Sequence, residues 1–489
     1  MSNRILPCVF SLLLLAGTGT AQAETSIDAN TAVRQALANN WNLKTASLDI
    51  ERARQDVLAE EDRYPYIFGA DAGVTRSESP RLATGDNVSS SISRSYTVGS
   101  SLRRTFATGT TGEVRLQGDR FENETQQGFS GSAVGSGYGV TGRLSVTQPL
   151  MRGAGTRVGE SELRAARVSR ALAERTKQRV TSALIRDVLL GYWELWYASE
   201  SESIEAAALK LAQAQEKDAK ERVRQGALAP ADVLTFTTRV AQLEESVVSA
   251  GIGKEQRGLS LGQLMGTMTD ASNLVASSAP PTSLTPASRT EVEASLRSGS
   301  VELAEAEAQV RLAKTRAEVA GEASRARLDL DGFVQTEGVS TGIPKAGARA
   351  AQMGWLTAHV GLTFETPLTG SRGDAQRNSA VLAVKIAEHN VRATRDRIAS
   401  QAILAVSEQR AAERRHQLAE RTLEVAKKAH AAEKERFELG QGLPITVQQA
   451  EDEVRRAQLR VARARVDMAQ AEVSVQHLSG RLYRTWLRR

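Results

Sequence analysis

Cysteine is almost missing from this 489-residue chain, with Cys8 as its single thiol. No internal disulfide and no paired-cysteine metal site can be built from one cysteine. Aromatic residues make up 4% of the chain, too few for a surface that stacks nucleic-acid bases. The five histidines, His359, His389, His416, His430 and His477, are scattered and show no H-x-x-x-H spacing, so neither a zinc site nor a catalytic histidine pair is indicated. His430 and Glu433 could share a helix face and read as a surface pair. Beyond the N-terminus no stretch approaches the roughly 20 apolar residues of a membrane-spanning helix. The net charge of +6 and pI near 9.4 come without a basic block. Acids and bases alternate along the chain, as on solvated, ion-paired helix faces, which excludes a nucleic-acid partner and predicts neither catalysis nor a cofactor.

What is present begins with an export signal. Arg4 is followed by an apolar run to Ala16, and Ala21-Gln22-Ala23 forms a small-x-small cleavage site. Residues 1–23 are predicted to be removed, leaving a mature chain from Glu24 without cysteine.

The mature chain repeats itself. Helical patterns are predicted over Thr31–Arg63, stopped by Pro65, and Arg157–Gln225, ended by Gly226, with a third from Pro230 to Met265. Proline is favoured at the first helical position and glycine just past the last. After a Ser/Pro-rich linker the order returns, with helices over Val301–Arg325, Gly373–Leu439 and Pro444–Leu478. The phases agree between halves. Val447, Val454, Val461, Met468 and Val475 recur every seven residues, with Ala450, Ala457, Ala464, Ala471 and Leu478 three later. A shift of 214 lands on Val233, Val240, Val247, Lys254 and Leu261, and a shift of 260 carries Leu43, Ile50 and Val57 onto Leu303, Val310 and Ala317. Such a repeat predicts left-handed supercoiling and an internal duplication. The middle helix of each half would span roughly 100 Å, about the combined length of the two shorter ones. Those two are therefore expected to stack end to end beside it. The predicted organisation is 24–266 for repeat 1, 267–288 for the linker and 289–489 for repeat 2.

Within each repeat the period changes to two. Tyr66, Phe68, Ala70, Ala72 and Val74 alternate with polar or small residues, as do Tyr96, Val98, Leu102 and Phe106. Leu328, Leu330, Gly332 and Val334 do likewise in the second half, with Leu356, Ala358, Val360, Leu362 and Phe364. Segments of about ten residues, apolar on one side and separated by Gly/Ser-rich loops, match a membrane β-barrel. Strand regions are expected over 66–149 and 327–366, with long loops around 79–93 and 122–137. The first region holds two additional alternating segments, around Val114–Leu116 and Tyr138–Val146, which predict six crossings per chain; the alternative is that this hairpin folds outside the membrane as an extracellular cap or packs inside the lumen.

On these residues the chain resembles the TolC-type outer-membrane efflux protein family. The resemblance rests on AVRQALANN (32–40), VTQPLMRG (146–153), FETPLTG (364–370), ERVRQGALAPADV (221–233), ERFELGQGLPITV (435–447), LGQLMG (261–266) and HLSG (477–480). Each motif is weak alone; their order, twice over, is specific. The resemblance implies an α+β membrane protein of two structural repeats, forming a homotrimer with one transmembrane β-barrel continuous with a long periplasmic α-helical barrel. It also implies an exit duct for efflux or type I secretion in the outer membrane, fed by an inner-membrane transporter through a periplasmic adaptor. The usual family pattern is four strands per protomer, so six would close eighteen instead of twelve.

By the same resemblance the hairpin tips, Gly226, Ala227, Leu228 and Pro230 with Gly440, Gly442, Leu443 and Pro444, would meet the adaptor and form the entrance. Some relatives carry a cation-binding acidic ring beyond the second tip, but Thr446 and Gln449 occupy those positions here. Asp232, Glu451 and Asp452 are the remaining candidates for entrance charge. Trp193, Trp196 and Tyr197 are expected to pack in the core midway along the long helix. Two other readings, a periplasmic adaptor and an exported coiled-coil structural protein, account less well for two hairpins each preceded by strands.

Overall fold

The computed structural model of the chain describes residues 25–82, 88–126, 132–226, 229–268, 271–369 and 371–487. The predicted signal peptide and its cleavage site lie outside them.

The two repeats are visible in the order of elements. The first runs through α1 (Ala29–Asn39), α2 (Trp41–Glu61), strands β2 (Ile67–Leu82), β3 (Val88–Thr105), β4 (Thr111–Gln126) and β5 (Ser132–Pro149), a single turn α3 (Thr156–Gly159), α4 (Ser161–Arg224) and α5 (Pro230–Met265). The second has α6 (Arg289–Gly299), α7 (Val301–Ala323), β7 (Arg327–Ser340), α8 (Ile343–Ala351), β8 (Trp355–Glu365), α9 (Arg372–Glu438) and α10 (Pro444–Leu478), followed by α11 (Arg481–Leu487). Both short hairpin helices start at their predicted proline. Proline lacks the N–H that a first turn leaves unused, and its fixed φ suits that turn.

The first helix of repeat 1 is broken where continuity was expected, and in repeat 2 the predicted helix from Val301 is preceded, across an equivalent break, by an unpredicted one, α6. Asn40 is buried, and its Oδ1 accepts from the Leu43 N–H at 3.2 Å. Ser300 does the same for Leu303 N–H at 3.3 Å. These residues are 260 apart, the repeat shift itself. A side-chain acceptor that caps a new helix start competes with helix continuation, which the heptad pattern does not register.

The chain divides into two compact units. One contains the residues up to Leu43, Thr181–Gly299 and the segment from Gln401 onward. Its core gathers Val33, Ile185, Tyr192, Leu195, Leu261 and Met265, all essentially sealed from solvent. Trp193 and Trp196 pack against this cluster, as expected. The predicted seam is buried along α10 at Val461, Ala464, Met468, Ala471 and Val475. A feature absent from the sequence reading closes this unit: β1 (Thr25–Ile27) pairs in parallel with β6 (Leu274–Ala276), inside the predicted linker segment. The Tyr192 hydroxyl donates to the Ile27 carbonyl at 3.2 Å and accepts from the Ser278 N–H at 2.8 Å. Residues 25–27 are thus tied to the segment between the repeats.

The other unit, Lys44–Val180 with Ser300–Ser400, holds one antiparallel sheet in the order β2-β3-β4-β5-β7-β8. Glu305 of α7 accepts from Thr176 of α4 at 2.8 Å and pairs with Arg179. Strands β2 to β5 are 16 to 18 residues long, beyond the 9–11 or so that cross a bilayer. Much of what was expected as loop around 79–93 and 122–137 is paired strand: Ser77 faces Ser93, Ser79 faces Ser91, and Asn123 faces Gly135. The extensions carry polar residues on both faces, so no alternation betrays them; backbone pairing alone extends the ladder.

Candidate functional site

Three features of the molecule bear on function: the two faces of the sheet, the connection β7-α8-β8, and the hairpin tips.

The register aligns one residue from each strand. Phe68, Leu102, Val114, Leu144, Val334 and Ala358 occupy successive strands at one level. They share the side of the sheet on which Ala72, Val98, Val140, Val360 and Leu362 also lie. Phe68 is 71% exposed in the protomer and continues a row with exposed Leu102, Val114, Leu144 and Val334; a contiguous apolar patch of this kind marks an interaction surface. The opposite face is polar. Arg115 on β4 reaches across β3 to Asp71 on β2 at 2.9 Å, and Arg143 lies over the Phe333 ring, which stacks on His359. An apolar outside and a polar inside are what a membrane barrel requires. Among the described residues no helix is long and apolar enough to cross a membrane.

The extra strands are integral to this sheet. β5 pairs with β7 from Tyr138–Ser340 to Pro149–Asp329. Were the β4–β5 hairpin an appended cap or a lumen plug, β3 would be the strand next to β7. The tight β3–β4 connection is closed by Phe106 N–H donating to Thr110 O at 2.8 Å. The six predicted strands therefore belong to one sheet.

Between β7 and β8 stands α8, which the sequence reading did not contain. It lies directly on Gly338, where an added Cβ would come within 2.1 Å of the Ala346 carbonyl oxygen. Thr336 donates to Ala350 O at 2.6 Å, and Arg349 donates to Val339 O at 2.6 Å. Gly338, Thr336 and Val334 alternate onto the same side of β7, so α8 covers the apolar face. The signal was legible in principle: Ala346 and Ala350 are one helical turn apart and both buried.

At the tips, Gly226 and Gly440 both adopt positive φ, which ends α4 and α9. Gln441 N–H donates back to Arg436 O at 2.8 Å. Gly442 and Leu443 connect to Pro444; Leu443 is 64% exposed. Ala227 and Leu228 lie outside the described residues. Just behind the tips a cleft of about 310 Å³ is lined by Leu211, Phe236, His430, Phe437, Pro444 and Glu451.

The three candidate charges differ in setting. Asp232 is exposed in the first turn of α5. Glu451 accepts from Gln215 at 2.6 Å and stands 3.4 Å from His430. Asp452 is held by the Arg239 guanidinium, one branch at 2.7 Å, and by Arg455 at 3.2 Å. Arg455 in turn donates to Glu205 at 2.6 Å. Burial pushes the Asp452 carboxyl up, but the hydrogen bond and charge of Arg239, with the charge of Arg455, outweigh it and leave the carboxyl below its usual range. Glu451 and Asp452 thus bind the protomer's own helices together. His430 faces Glu451, and Glu433 pairs instead with Arg436 at 3.2 Å.

A sheet with one apolar and one polar face is thus carried in a duplicated chain with two helical hairpins. Residues 294–481, nearly all of the second repeat, match the family described as outer membrane efflux protein; the first repeat shares its sequence of short helices, strands, long helix and hairpin helix, with four strands in place of two. The fold of the chain is similar to that of the outer membrane protein VceC from Vibrio cholerae, with a TM-score of 0.66 and 15% identity over 92% of this chain and 96% of that one. The CmeC outer membrane channel of Campylobacter jejuni gives 0.67 and 16% over 98% and 94%. The open-state MtrE outer membrane channel of Neisseria gonorrhoeae gives 0.63 and 17% over 92% and 88%. At these identities the likeness is one of fold. No curated protein matches the sequence.

Proposed function

We propose that three copies of this chain form an outer-membrane channel that serves as the exit duct of an efflux or secretion system. The observation that carries this is the six-residue apolar row from Phe68 to Ala358, backed by a polar face. The sheet's edges, β2 and β8, keep unpaired backbone groups, which cannot face lipid. Closure through neighbouring copies removes both edges, and three sheets of six strands make a barrel of eighteen. Such a barrel is wider than one of twelve, since diameter grows roughly with strand number. The helical hairpins would extend into the periplasm. Their tips, with Leu443 and Leu228, would meet a periplasmic adaptor that hands over cargo from an inner-membrane transporter.

Extraction and cross-linking test this reading. The protein should leave the membrane fraction only in detergent, and amine cross-linking of the extract should stop at a species of three chains. Release without detergent would favour a periplasmic adaptor or an exported coiled-coil protein. Cross-linking that yields monomers alone would defeat the trimer.

A further inference from the structure

The outer edge of the apolar face carries a row of basic residues. On β3 the outward series Leu102, Val98 and Tyr96 ends at Arg94; on β2 the series Phe68, Ala72 and Val74 ends at Arg76. On β4, Val114, Leu116 and Gly118 end at Arg120, in register with Tyr96 and Tyr138. On β8 the apolar series, Leu356 to Phe364, lies lower in the sheet: Ala358, near its top, is level with Phe68, the first apolar position of β2. A window that slides down from strand to strand is what a horizontal membrane cuts across tilted strands. On β7 the upper edge of that window therefore falls near Thr336 and Gly338, where α8 is seated. α8 turns Ala346 and Ala350 to the sheet and leaves Lys345 and Arg349 exposed, beside exposed Ile343.

We infer that Arg76, Arg94, Arg120, Lys345 and Arg349 form a basic collar that binds the phosphate groups of anionic lipids in the outer leaflet, with α8 as an interfacial anchor. This rests on the reading of the sheet as membrane-spanning. Three observations carry it. The basic residues share the lipid-facing side; they stand where the apolar series stops on each strand; and two tyrosines, Tyr96 and Tyr138, mark the same level, where such rings meet headgroups. Glu78 lies 3.9 Å from Arg76 and Glu122 lies 2.7 Å from Arg120; Glu122 is also the register partner of Arg94, and Glu124 follows on the same face. Three acids thus balance the three strand arginines, and Lys345 and Arg349 carry the net charge of the strip. A guanidinium suits phosphate in geometry and charge, and basic residues near an anionic surface strengthen binding to it. The helix also hides the small patch formed by Gly338 and Thr336, so that lipid meets Ile343 and the stem of Lys345 there instead.

The test uses the purified trimer in neutral detergent, titrated with lipid A, with phosphatidylcholine, or with inorganic phosphate, and read as the midpoint of trimer melting. Lipid A should raise the midpoint of the wild-type protein; the other two should not. R94Q/K345Q/R349Q should insert and trimerise normally, yet need roughly tenfold more lipid A or beyond for half the effect. Equal responses of wild type and variant would overturn the collar, as would an equal rise with inorganic phosphate, which would mean binding of free anion. A second variant, I343C carrying a fluorophore, should be quenched by a lipid-borne quencher in nanodiscs and protected from aqueous iodide. The reverse pattern would place α8 in water and end the proposal. Failure of the trimer to need detergent would be a different result, and would strike the channel reading itself.

Discussion

Gly480 stands so close to Gly299 that a Cβ on Gly480 would come within 1.9 Å of the Gly299 carbonyl oxygen. The same contact occurs in the first repeat, where a Cβ on Gly266 would lie 2.8 Å from Asn39 O. Both glycines end a hairpin helix at positive φ, +68° and +71°. The spacings are those of the duplication, 214 for the glycines and 260 for their partners, so one packing solution was kept in both copies. The contact locks the end of the last helix of each repeat onto the break in its first helix.

Gly480→Ala should therefore lower the heat-unfolding midpoint of the detergent-solubilised protein more than Gly440→Ala does. Gly440 also has positive φ, but a Cβ there meets open space. The left-handed conformation costs a non-glycine residue roughly 1 kcal/mol, and at Gly480 the neighbour is backbone, which cannot swing aside. Equal midpoints for the two variants would show that the close approach does not stabilise the fold.

Val114→Cys and Leu116→Cys probe the extra hairpin. Both side chains are exposed on the apolar face, while Arg115 points to the other side. In membranes the two cysteines should react with a lipid-soluble maleimide and resist a charged one, and Arg115→Cys should accept the charged one from the lumen. Ready reaction of Val114→Cys and Leu116→Cys with the charged reagent would remove β4 from the lipid boundary and the eighteen-strand barrel with it.

Leu228→Asp/Leu443→Asp addresses the tips. Charging a small apolar contact weakens binding because the carboxylate loses water on docking. Transport, measured as cellular accumulation of the exported compound, should fall to the level of the deletion strain, with trimer yield unchanged. Undiminished transport would reduce the tips to plain helix turns.

Asp452→Asn should loosen the clasp between α5 and α10. Arg239 and Asp452 are both largely shielded from solvent, and a hydrogen bond to a charged group contributes roughly 1.5–3 kcal/mol. Because the folded carboxyl lies below its usual range, the clasp contributes fully above the normal carboxylate pKa of about 4. That contribution is lost as pH falls through the depressed folded value. Melting of the wild-type protein at neutral pH and at pH values below about 4 should show this loss; Asp452→Asn should be weaker at neutral pH and should lack this component of the acid response. Identical acid profiles would assign the acid sensitivity to other carboxylates.

How far the sequence by itself determined this protein depends on the range of the forces involved. The hairpin helices begin at Pro230 and Pro444, and their partners end at Gly226 and Gly440, because those residues act on their own backbone. The duplication was legible because the seam repeats every seven residues, and the six strands because a sheet with one apolar and one polar face imposes alternation. Tertiary structure decided the rest. Asn40 breaks a helix whose heptads run on, because its buried side chain also donates to the Leu264 carbonyl at 2.9 Å. The strands outlast their alternation, since pairing satisfies backbone groups whatever the side chains are. Glu451 and Asp452 found partners more than 200 residues away along the chain, at Gln215 and Arg239, and a contact between such distant segments has no trace in local periodicity.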